Sequence, residues 1–411
     1  DDVGQDGVAA YGVSPGPPTT PTLDGLVERG VRFTRAYAYP VCSPSRAALL
    51  TGQYVRRLPW SDDGRLSRSA RTLAELARDA GYETALFGKW HLSGSPVRGP
   101  RDPLRHGFDH FVGLAGNPDD THERWGPPRD YFRWERNDDG RLSLSTDYAP
   151  TVTIDAAIDW IADREGPWFA TVSLTSAHGP MHVPPDDLHT TDVTEDSPEP
   201  DLFRAVVEAG DTELGRLLDA LGPQGLDDTV VIVVGDNGTD VRRDDPGFRV
   251  LGGKVSVFEG GIRVPLVVTG PPVEEPGLAH DGLVHLVDVA PTIAMWIGGD
   301  VGASDGRSLV EAVRDPARPG ERDTLYTEFY GPATPPFVVD RRVVVSERLK
   351  LVDNAHEGTQ VVTRLALDPS GEEEVEPDAL TPDERAELER LVQALGRTLA
   401  TFPEGWLETA P

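Results

Sequence analysis

The stretch RTLAELARDAGYETALFGKWH, residues 71–91, contains a complete unit of helix, turn and strand. Apolar residues recur every three to four positions over residues 73–80, which is the period of an α-helix. Gly81 is the residue type that commonly follows a helix end, and the residues after it predict a short strand over 83–87. This unit therefore predicts a helix that packs against a strand.

Two later segments have the same plan. Residues 153–180 predict a helix that ends near Gly166 and a strand over 168–174. Residues 202–238 predict a helix followed by a strand over 229–234, whose run TVVIVV is rich in β-branched residues and indicates burial on both faces. Helices that alternate with strands are typical of a parallel sheet, so we predict an α/β fold with a large, mostly parallel sheet flanked by helices.

The pattern changes after about residue 320. RRVVVSERLKLVD and QVVTRLALD predict successive antiparallel strands, and TPDERAELERLVQALGRTL predicts an amphipathic helix with a capping box. We therefore predict a catalytic α/β domain over residues 1–319 and a small C-terminal α+β subdomain over residues 320–411. The sequence begins at Asp1 with no initiator Met and no leading strand, so we expect a strand before it and leave the compartment open, whether cytoplasmic or secreted.

Charge and composition argue against several classes of protein. The formal net charge of −30 opposes binding to nucleic acid and to anionic membranes, and no run approaches the roughly 20 apolar residues of a membrane span. The single cysteine cannot form an internal disulfide bond, and the oligomeric state is left open. Lys89, Lys254 and Lys350 are the only lysines among 39 basic residues. Because Lys and Arg are not interchangeable, each lysine is a position of interest.

Polar side chains follow the predicted strands at their carboxyl ends, where open parallel sheets bind ligands. Lys89 and His91 follow the first strand, His178 follows the second, and Asp236 and Asn237 follow the third. Taken singly, each residue has an ordinary structural interpretation, such as a surface charge or a turn. Together, at one edge of a sheet, they predict a functional site.

Carboxylates at this edge indicate a metal site. Asp1 and Asp2 would reach the edge if a strand precedes them, and Asp236 and Asn237 supply further oxygen atoms. With no cluster of His or Cys beside them, these hard ligands favour a calcium- or magnesium-class ion. We expect Ca²⁺ rather than Mg²⁺, because carboxylates and an amide carbonyl suit the flexible coordination shell of calcium.

The only cysteine lies in YPVCSPSRAALLTG, residues 39–52. Ser43 is a good N-cap, Pro44 suits the first helical position and Gly52 suits the helix end, so we predict a helix that begins just after Cys42. The free N–H groups at a helix N-terminus attract anions and would favour an ionised or oxyanionic Cys42. In isolation, an inert buried thiol is an equally good interpretation.

Basic and imidazole side chains complete the predicted site. Arg46, Lys89 and Lys254 supply positive hydrogen-bond donors, and His91 and His178 can supply protons or hydrogen bonds. This combination suits a sulfate or phosphate ester as the substrate. An anionic substrate of so acidic a protein needs a locally positive pocket of this kind.

The segment CSPSRAALLTG resembles the C-x-P-x-R segment of the formylglycine-dependent (type I) sulfatases, which belong to the alkaline-phosphatase-like superfamily. The likeness continues in the same order through DDVG, GYETALFGKWHL, GFDHFVG, AHGPMHVP, GDNG, GGKVSVFEGGIRVPLVV and LALDPSGE, and covers nearly the whole chain. Single pieces such as GDNG are weak signals, whereas the cysteine segment together with GKWH and GGK is specific. Ser93 departs from the pattern, because the family usually continues GKWHL with Gly.

The resemblance implies an arylsulfatase-like sulfuric ester hydrolase in which a formylglycine-generating enzyme oxidises Cys42 to an aldehyde. One hydroxyl of the aldehyde hydrate would attack sulfur and displace the alcohol, and the second would lose its proton and expel sulfate. The implied calcium ligands are Asp1, Asp2, Cys42, Asp236 and Asn237. The implied catalytic roles are orientation of residue 42 by Arg46, sulfate binding by Lys89 and Lys254, proton transfer for the hydrate by His91, and general acid catalysis by His178.

Two other functions stay open on the sequence. A phosphonate or phosphate ester hydrolase of the same superfamily would use the same formylglycine, because both kinds of substrate are tetrahedral oxyanions. A non-catalytic binding protein would keep the fold with an unmodified Cys42, although the complete set of predicted catalytic residues opposes this. A single calcium ion and His178 favour a sulfated small molecule or saccharide, since less charge must then be neutralised.

Overall fold

The computed structural model of the protein describes residues 1–60, 64–94, 99–120, 125–127, 129–222, 225–240, 252–331, 335–366, 371–405 and 407. The helices are α1 Pro21–Arg29, α2 Cys42–Thr51, α3 Leu73–Asp79, α4 Asp102–Arg105, α5 Ala149–Ala162, α6 Glu199–Ala220, α7 Gly225–Asp228, α8 Glu259–Ile262, α9 Val289–Trp296, α10 Val310–Arg314 and α11 Pro382–Leu399. The strands are β1 Gly30–Phe33, β2 Ala36–Tyr37, β3 Glu83–Lys89, β4 His110–Leu114, β5 Trp134–Asp138, β6 Arg141–Ser145, β7 Trp168–Ser173, β8 Val231–Val234, β9 Arg263–Val264, β10 Leu266–Thr269, β11 Leu278–His280, β12 Val284–His285, β13 Leu325–Gly331, β14 Val339–Val345, β15 Leu349–Asn354, β16 Thr359–Leu365 and β17 Glu372–Glu374. Within these ranges, no helix combines the length and the apolar character needed to cross a bilayer.

The segment over residues 71–91 folds as the sequence predicts. α3 begins with a capping box, in which the side chains of Thr72 and Glu75 bond to each other's backbone N–H groups. β3 then runs two residues beyond the predicted strand and ends at Lys89. Except for Glu83, every residue of β3 is buried, because neighbouring strands and α5 cover it.

The described strands form four sheets, two of which carry β3, β7 and β8. In the sheet β6-β5-β4-β3-β7, β3 pairs in parallel with β4 and β7, and β5 and β6 form an antiparallel edge. In the sheet β11-β1-β10-β8, only the pair β1 and β11 is parallel. The predicted α/β class, with helices against the sheets, is confirmed. These two sheets contain fewer parallel strand pairs than the sequence predicted, since antiparallel pairs occur in both of them.

A cavity of about 770 Å³ is lined by the edge strands β7 and β8. The predicted burial of residues 229–234 on both faces is therefore wrong, because the side chains of β8 are half-buried. The amino group of Asp1 lies 3.4 Å from Leu174 O, just after β7, and the Asp2 N–H donates to Asp236 Oδ1, just after β8. The strand predicted before Asp1 stays a prediction.

The C-terminal part of the chain forms a separate antiparallel sheet, β13-β14-β15-β16-β17. The predicted strands correspond to β14, β15 and β16, and the predicted helix corresponds to α11, which packs against β14 and β15. Thr381 and Glu384 form the predicted capping box. The division of domains at residue 320 stays a prediction, and residues 367–370 of the LALDPSGE motif lie outside the described residues.

Two glycines allow β3 and β4 to approach closely beside the site. Gly88 and Gly113 are partners in register, and a Cβ on Gly113 would lie 1.9 Å from Gly88 O. We expect Gly113→Ala to force the strands apart and to lower the free energy of unfolding by about 3 kcal/mol in urea titrations. Gly166→Ala is the matched control, since its Cβ would meet no described atom within 4 Å. Equal stabilities of Gly113→Ala and the wild type would contradict this packing.

Candidate active site

The side chains predicted from the sequence gather where β3, β7 and β8 end. They are Lys89 and His91 at the end of β3, His178 after β7, Asp236 and Asn237 after β8, Cys42 and Arg46 on α2, Asp1 and Asp2 at the start of the chain, and Lys254 between β8 and α8. Hydrogen bonds or ion pairs among their side chains connect most of this set directly. Residues more than 200 positions apart thus meet at one edge of the sheets.

α2 brings the cysteine to this edge. The helix begins at Cys42 with Val41 as its N-cap, so the predicted N-cap at Ser43 is wrong. The Ser43 hydroxyl instead donates to His91 O over 2.9 Å, which fixes the start of α2 against the end of β3. Gly52 ends the helix with a φ of 69°, in the left-handed region that favours glycine, as predicted.

Two lysines form buried ion pairs with the first two carboxylates. Lys89 Nζ lies 2.6 Å from Asp1 Oδ2, and Lys254 Nζ lies 2.7 Å from Asp2 Oδ2. Burial lowers the pKa of Lys89. Burial also acts to lower the pKa of Lys254, but Cys42 and Asp2 outweigh it and the pKa is raised. The two ammonium groups therefore differ in how firmly they hold their protons.

Arg46 pairs with the third carboxylate. Its Nη2 lies 2.9 Å from Asp236 Oδ2, and its Nη1 donates to Lys89 O over 3.0 Å. Burial alone would raise the pKa of Asp236, but Arg46, the amino group of Asp1 and Lys89 hold it well below its usual range. Asp236 therefore stays ionised, and three carboxylates balance three cations in the site.

The cysteine thiol contacts a carboxylate and an ammonium group. Cys42 Sγ lies 3.3 Å from Asp1 Oδ1 and 3.5 Å from Lys89 Nζ, and the residue is 3% exposed. Burial, and after it the charge of Asp236, raises the pKa of the thiol. The raised pKa opposes the predicted ionisation of the thiol, and a protonated thiol is a poor nucleophile.

The oxygen atoms at this edge fit a divalent cation. Ligand atoms of Asp1, Asp2, Cys42 and Asp236 all lie within 4.8 Å of one another. Asn237 Nδ2 donates to Asp2 Oδ1 over 2.8 Å, whereas Asn237 Oδ1 is buried with no hydrogen-bond partner among the described residues. A buried carbonyl oxygen without a partner costs free energy unless a cation or water satisfies it. This donor set suits Ca²⁺ or Mg²⁺.

His178 lies close to the cysteine. One of its ring nitrogens lies within 4.8 Å of the Asp2 carboxylate and Cys42 Sγ. His178 Nδ1 lies 2.7 Å from Gly179 O, and a carbonyl can only accept, so Nδ1 carries the proton of the neutral ring. Burial, together with Lys89, lowers the pKa of His178 to about 4. The ring is therefore neutral at pH 7 when no substrate is bound.

His91 combines a strained backbone with a buried ring. Its φ is 58°, in the left-handed region that non-glycine residues rarely adopt. Burial, with the charge of Lys89, lowers the pKa of the ring well below its usual value, and Nδ1 has no hydrogen-bond partner among the described residues. Strain and an unpaired buried polar atom are typical of functional sites rather than of inert packing.

The sequence patterns did not predict the residues that hold the loops of the site in place through hydrogen bonds. The buried Tyr131 hydroxyl donates to His178 O over 2.7 Å and thereby anchors the turn after β7. Thr239 O accepts the N–H of Lys254 over 3.0 Å, and its hydroxyl donates to Asp6 Oδ1 over 2.6 Å. A lone Tyr or Thr in a loop has no distinguishing pattern, so only the fold identifies these contacts.

Comparison with other proteins agrees with the geometry. The Sulfatase family model matches residues 1–299. Arylsulfatase A of Bos taurus is 30% identical, with 73% of this chain and 63% of that protein covered. Steryl-sulfatase of Mus musculus is 29% identical, with 75% of this chain and 63% of that protein covered. The chain thus spans about 63% of the length of these two relatives.

Solved structures share the fold over almost the full chain. Ps i-CgsB in complex with k-i-k-neocarrahexaose has a TM-score of 0.79 and 22% identity, covering 100% of this chain and 93% of that one. The phosphonate monoester hydrolase of Agrobacterium radiobacter has a TM-score of 0.72 and 22% identity, covering 97% of this chain and 94% of that one. These structures establish an alkaline-phosphatase-like fold. The family match over residues 1–299 identifies the chain as a member of the sulfatase family.

Proposed function

We propose that the protein is a sulfuric ester hydrolase, which cleaves a sulfate monoester to an alcohol or phenol and inorganic sulfate. The observation that carries this proposal is the cationic group Lys89, Lys254 and Arg46, which lies with Cys42 at one edge of the sheets in a chain of net charge −30. Such a group attracts a tetrahedral oxyanion to an otherwise repulsive protein. Membership of the sulfatase family and the names of the two relatives support the same reaction.

We further propose that a formylglycine-generating enzyme converts Cys42 to formylglycine, beside a Ca²⁺ site. Asp1, Asp2, Asp236 and Asn237 would hold the ion, and Mg²⁺ would fit less readily. When present, the aldehyde hydrate and the ion would supply an attacking oxygen and the positive charge that lowers its pKa. The raised pKa of the unmodified thiol supports the conversion, because the thiol itself would react poorly.

The lysines would exchange partners when a cation binds. Lys89 and Lys254 now neutralise Asp1 and Asp2. Carboxylate oxygens that turn toward a divalent cation would leave the two ammonium groups available to the sulfate oxygens. The added charge of the cation would then be offset in part by the negative charge of the ester, so the occupied site attracts substrate more strongly than the metal-free site does.

Arg46 and the histidines would orient groups and move protons. Arg46, fixed by Asp236, would orient the oxygens of residue 42, and the buried His91 would accept a proton from the hydrate. His178 would protonate the leaving oxygen. Because its Nδ1 proton is already donated to Gly179 O, Nε2 must first gain a proton, and a bound anion would favour this by raising the pKa of the ring.

We expect the effect of His178→Ala to depend on the leaving group. For an alkyl sulfate, whose alkoxide leaves poorly, kcat/KM should fall by about 10²- to 10³-fold, whereas for 4-nitrophenyl sulfate it should fall by less than about tenfold. His189→Ala is the matched control, since His189 lies between β7 and α6 and its Nδ1 lies 2.9 Å from Thr191 O in the same loop. Equal losses on both sulfates would contradict the role of His178 as an acid.

A phosphonate ester hydrolase is the second candidate, because the phosphonate monoester hydrolase of Agrobacterium radiobacter has the same fold. Steady-state rates on 4-nitrophenyl sulfate and on a matched 4-nitrophenyl phosphonate distinguish the two. We expect kcat/KM to favour the sulfate, since both curated relatives described above are named sulfatases. A large preference for the phosphonate would overturn this choice.

The physiological substrate would be a sulfated small molecule or saccharide, and nucleic acid and membranes are not expected partners.

A further inference from the structure

Lys350 is the lysine that the proposed reaction does not use, and its side chain is completely buried. It lies on β15, in the C-terminal sheet. Lys350 Nζ lies 2.5 Å from Glu372 Oε1 and 3.5 Å from Glu259 Oε1, and it donates to Val257 O over 3.0 Å. Burying an ammonium ion is costly unless its partners are well placed, and here two carboxylates and a carbonyl offset that cost.

Two of these partners, Val257 and Glu259, lie on the segment over residues 252–259, which also contains Lys254. The first half of this segment is held by the ion pair of Lys254 with Asp2 and by two backbone hydrogen bonds: the N–H of Lys254 donates to Thr239 O, and the N–H of Val255 donates to Pro40 O over 2.8 Å. Val255 has a φ of 69° and is 51% exposed, so it is strained and poorly packed. The second half of the segment is therefore needed to offset the strain at Val255.

The second half of the segment is fixed by the C-terminal sheet. The N–H of Glu259 donates to Glu372 Oε2 over 3.0 Å, and Glu372 is the first residue of β17. Val257 is buried in the same apolar cluster as Val343 and Val345 of β14. Lys350 joins both contacts, because its ammonium group binds Val257 O and both glutamates.

We propose that Lys350 is a positioning residue for Lys254. By fixing Val257 and Glu259, it keeps the strained first half of the segment in place, with Lys254 Nζ beside Asp2. The C-terminal sheet would thereby set the position of one of the two lysines that bind sulfate. This inference rests on the proposed sulfatase activity.

A double-mutant cycle tests the proposal. Against 4-nitrophenyl sulfate, we expect Lys254→Met to lower kcat/KM by about 10²-fold and Lys350→Met by about tenfold or more, since small misplacements of binding groups have large effects. In the Lys254→Met background, Lys350→Met should change kcat/KM by less than about twofold, because the group it positions is gone. Additive losses would overturn the proposal.

Two further variants separate positioning from loss of stability. The double variant Lys350→Met with Glu372→Gln restores the balance of buried charge. It should fold, and its kcat/KM should be as low as that of Lys350→Met alone. Arg56→Met removes another buried cation that joins the C-terminal sheet to the rest of the chain, through Glu328 and Asp340. It should lower Tm yet leave kcat/KM within about twofold; an equal loss of activity in Arg56→Met would contradict a specific role for Lys350.

Hydrogen exchange provides a readout that does not depend on activity. The N–H groups of Val255 and Glu259 should exchange at least about tenfold faster in Lys350→Met than in the wild type, and should be unchanged in Arg56→Met. If the wild type lacks sulfatase activity, the proposed function fails while this exchange result still stands. If the wild type is active but exchange at these two positions is unchanged, the role of Lys350 is refuted.

Discussion

Replacing Cys42 with Ala should lower kcat/KM for an aryl sulfate by at least about 10⁴-fold and leave the protein folded. The proposed aldehyde can form only at this residue, because the chain has no other cysteine. The change removes one sulfur atom from the first turn of α2, so the free energy of unfolding should fall by no more than about 1 kcal/mol. Residual activity above a few per cent of wild type would contradict the assignment of residue 42 as the nucleophile.

Cys42→Ser is the matched variant, because it supplies a single hydroxyl at the same position. If that hydroxyl attacks sulfur, it forms a serine sulfate and releases the phenol, but it has no second hydroxyl whose deprotonation could expel the sulfate. We therefore expect at most one equivalent of phenol per protein molecule. Continued turnover by Cys42→Ser would indicate that a water molecule, and not a second oxygen on residue 42, completes the reaction.

Removal of divalent cations should lower kcat/KM by about 10³-fold, because a bound cation contributes several kcal/mol of charge stabilisation. The protein should remain folded, since Arg46, Lys89 and Lys254 balance the three carboxylates without the ion. After dialysis against a chelator, Ca²⁺ should restore activity at lower concentration than Mg²⁺. Thermal denaturation with each ion measures the same site independently, because an ion that binds only the folded protein raises Tm.

Asp236→Asn should reduce the activity that Ca²⁺ restores after chelation, and it should reduce the rise in Tm with Ca²⁺. Asp155→Asn is the matched control, since Asp155 lies on α5 in an exposed ion pair with Arg216. The control should respond to chelation and to Ca²⁺ as the wild type does. Unchanged activity of the wild type in the presence of a strong chelator would contradict the metal site, whatever the behaviour of the two variants.

Local sequence patterns predicted the elements that approach the site. The period over residues 73–80 and the turn at Gly81 are local signals, and they placed Lys89 at the end of β3. Gly52 was also predictable, because a helix end in the left-handed region favours glycine. The capping box at Thr381 depends on two residues three positions apart, which the sequence displays directly.

Long-range contacts were harder to predict from the sequence. Ser43 looked like an N-cap, but its hydroxyl binds His91 O, a contact that only the fold creates. Cys42 was expected to ionise at a helix end, yet burial and the charge of Asp236 raise the pKa of its thiol, and burial cannot be read from local sequence. The same holds for Lys350, whose partners at Glu259 and Glu372 lie on different elements.

The mass of the peptide that contains residue 42, taken from catalytically active protein, tests the central claim most directly. Conversion to formylglycine removes one sulfur and two hydrogens and adds one oxygen, and we expect the fraction of peptide with this change to rise in proportion to kcat across preparations made with and without a formylglycine-generating enzyme. Full sulfatase activity in a preparation whose residue 42 carries only the thiol would contradict the account.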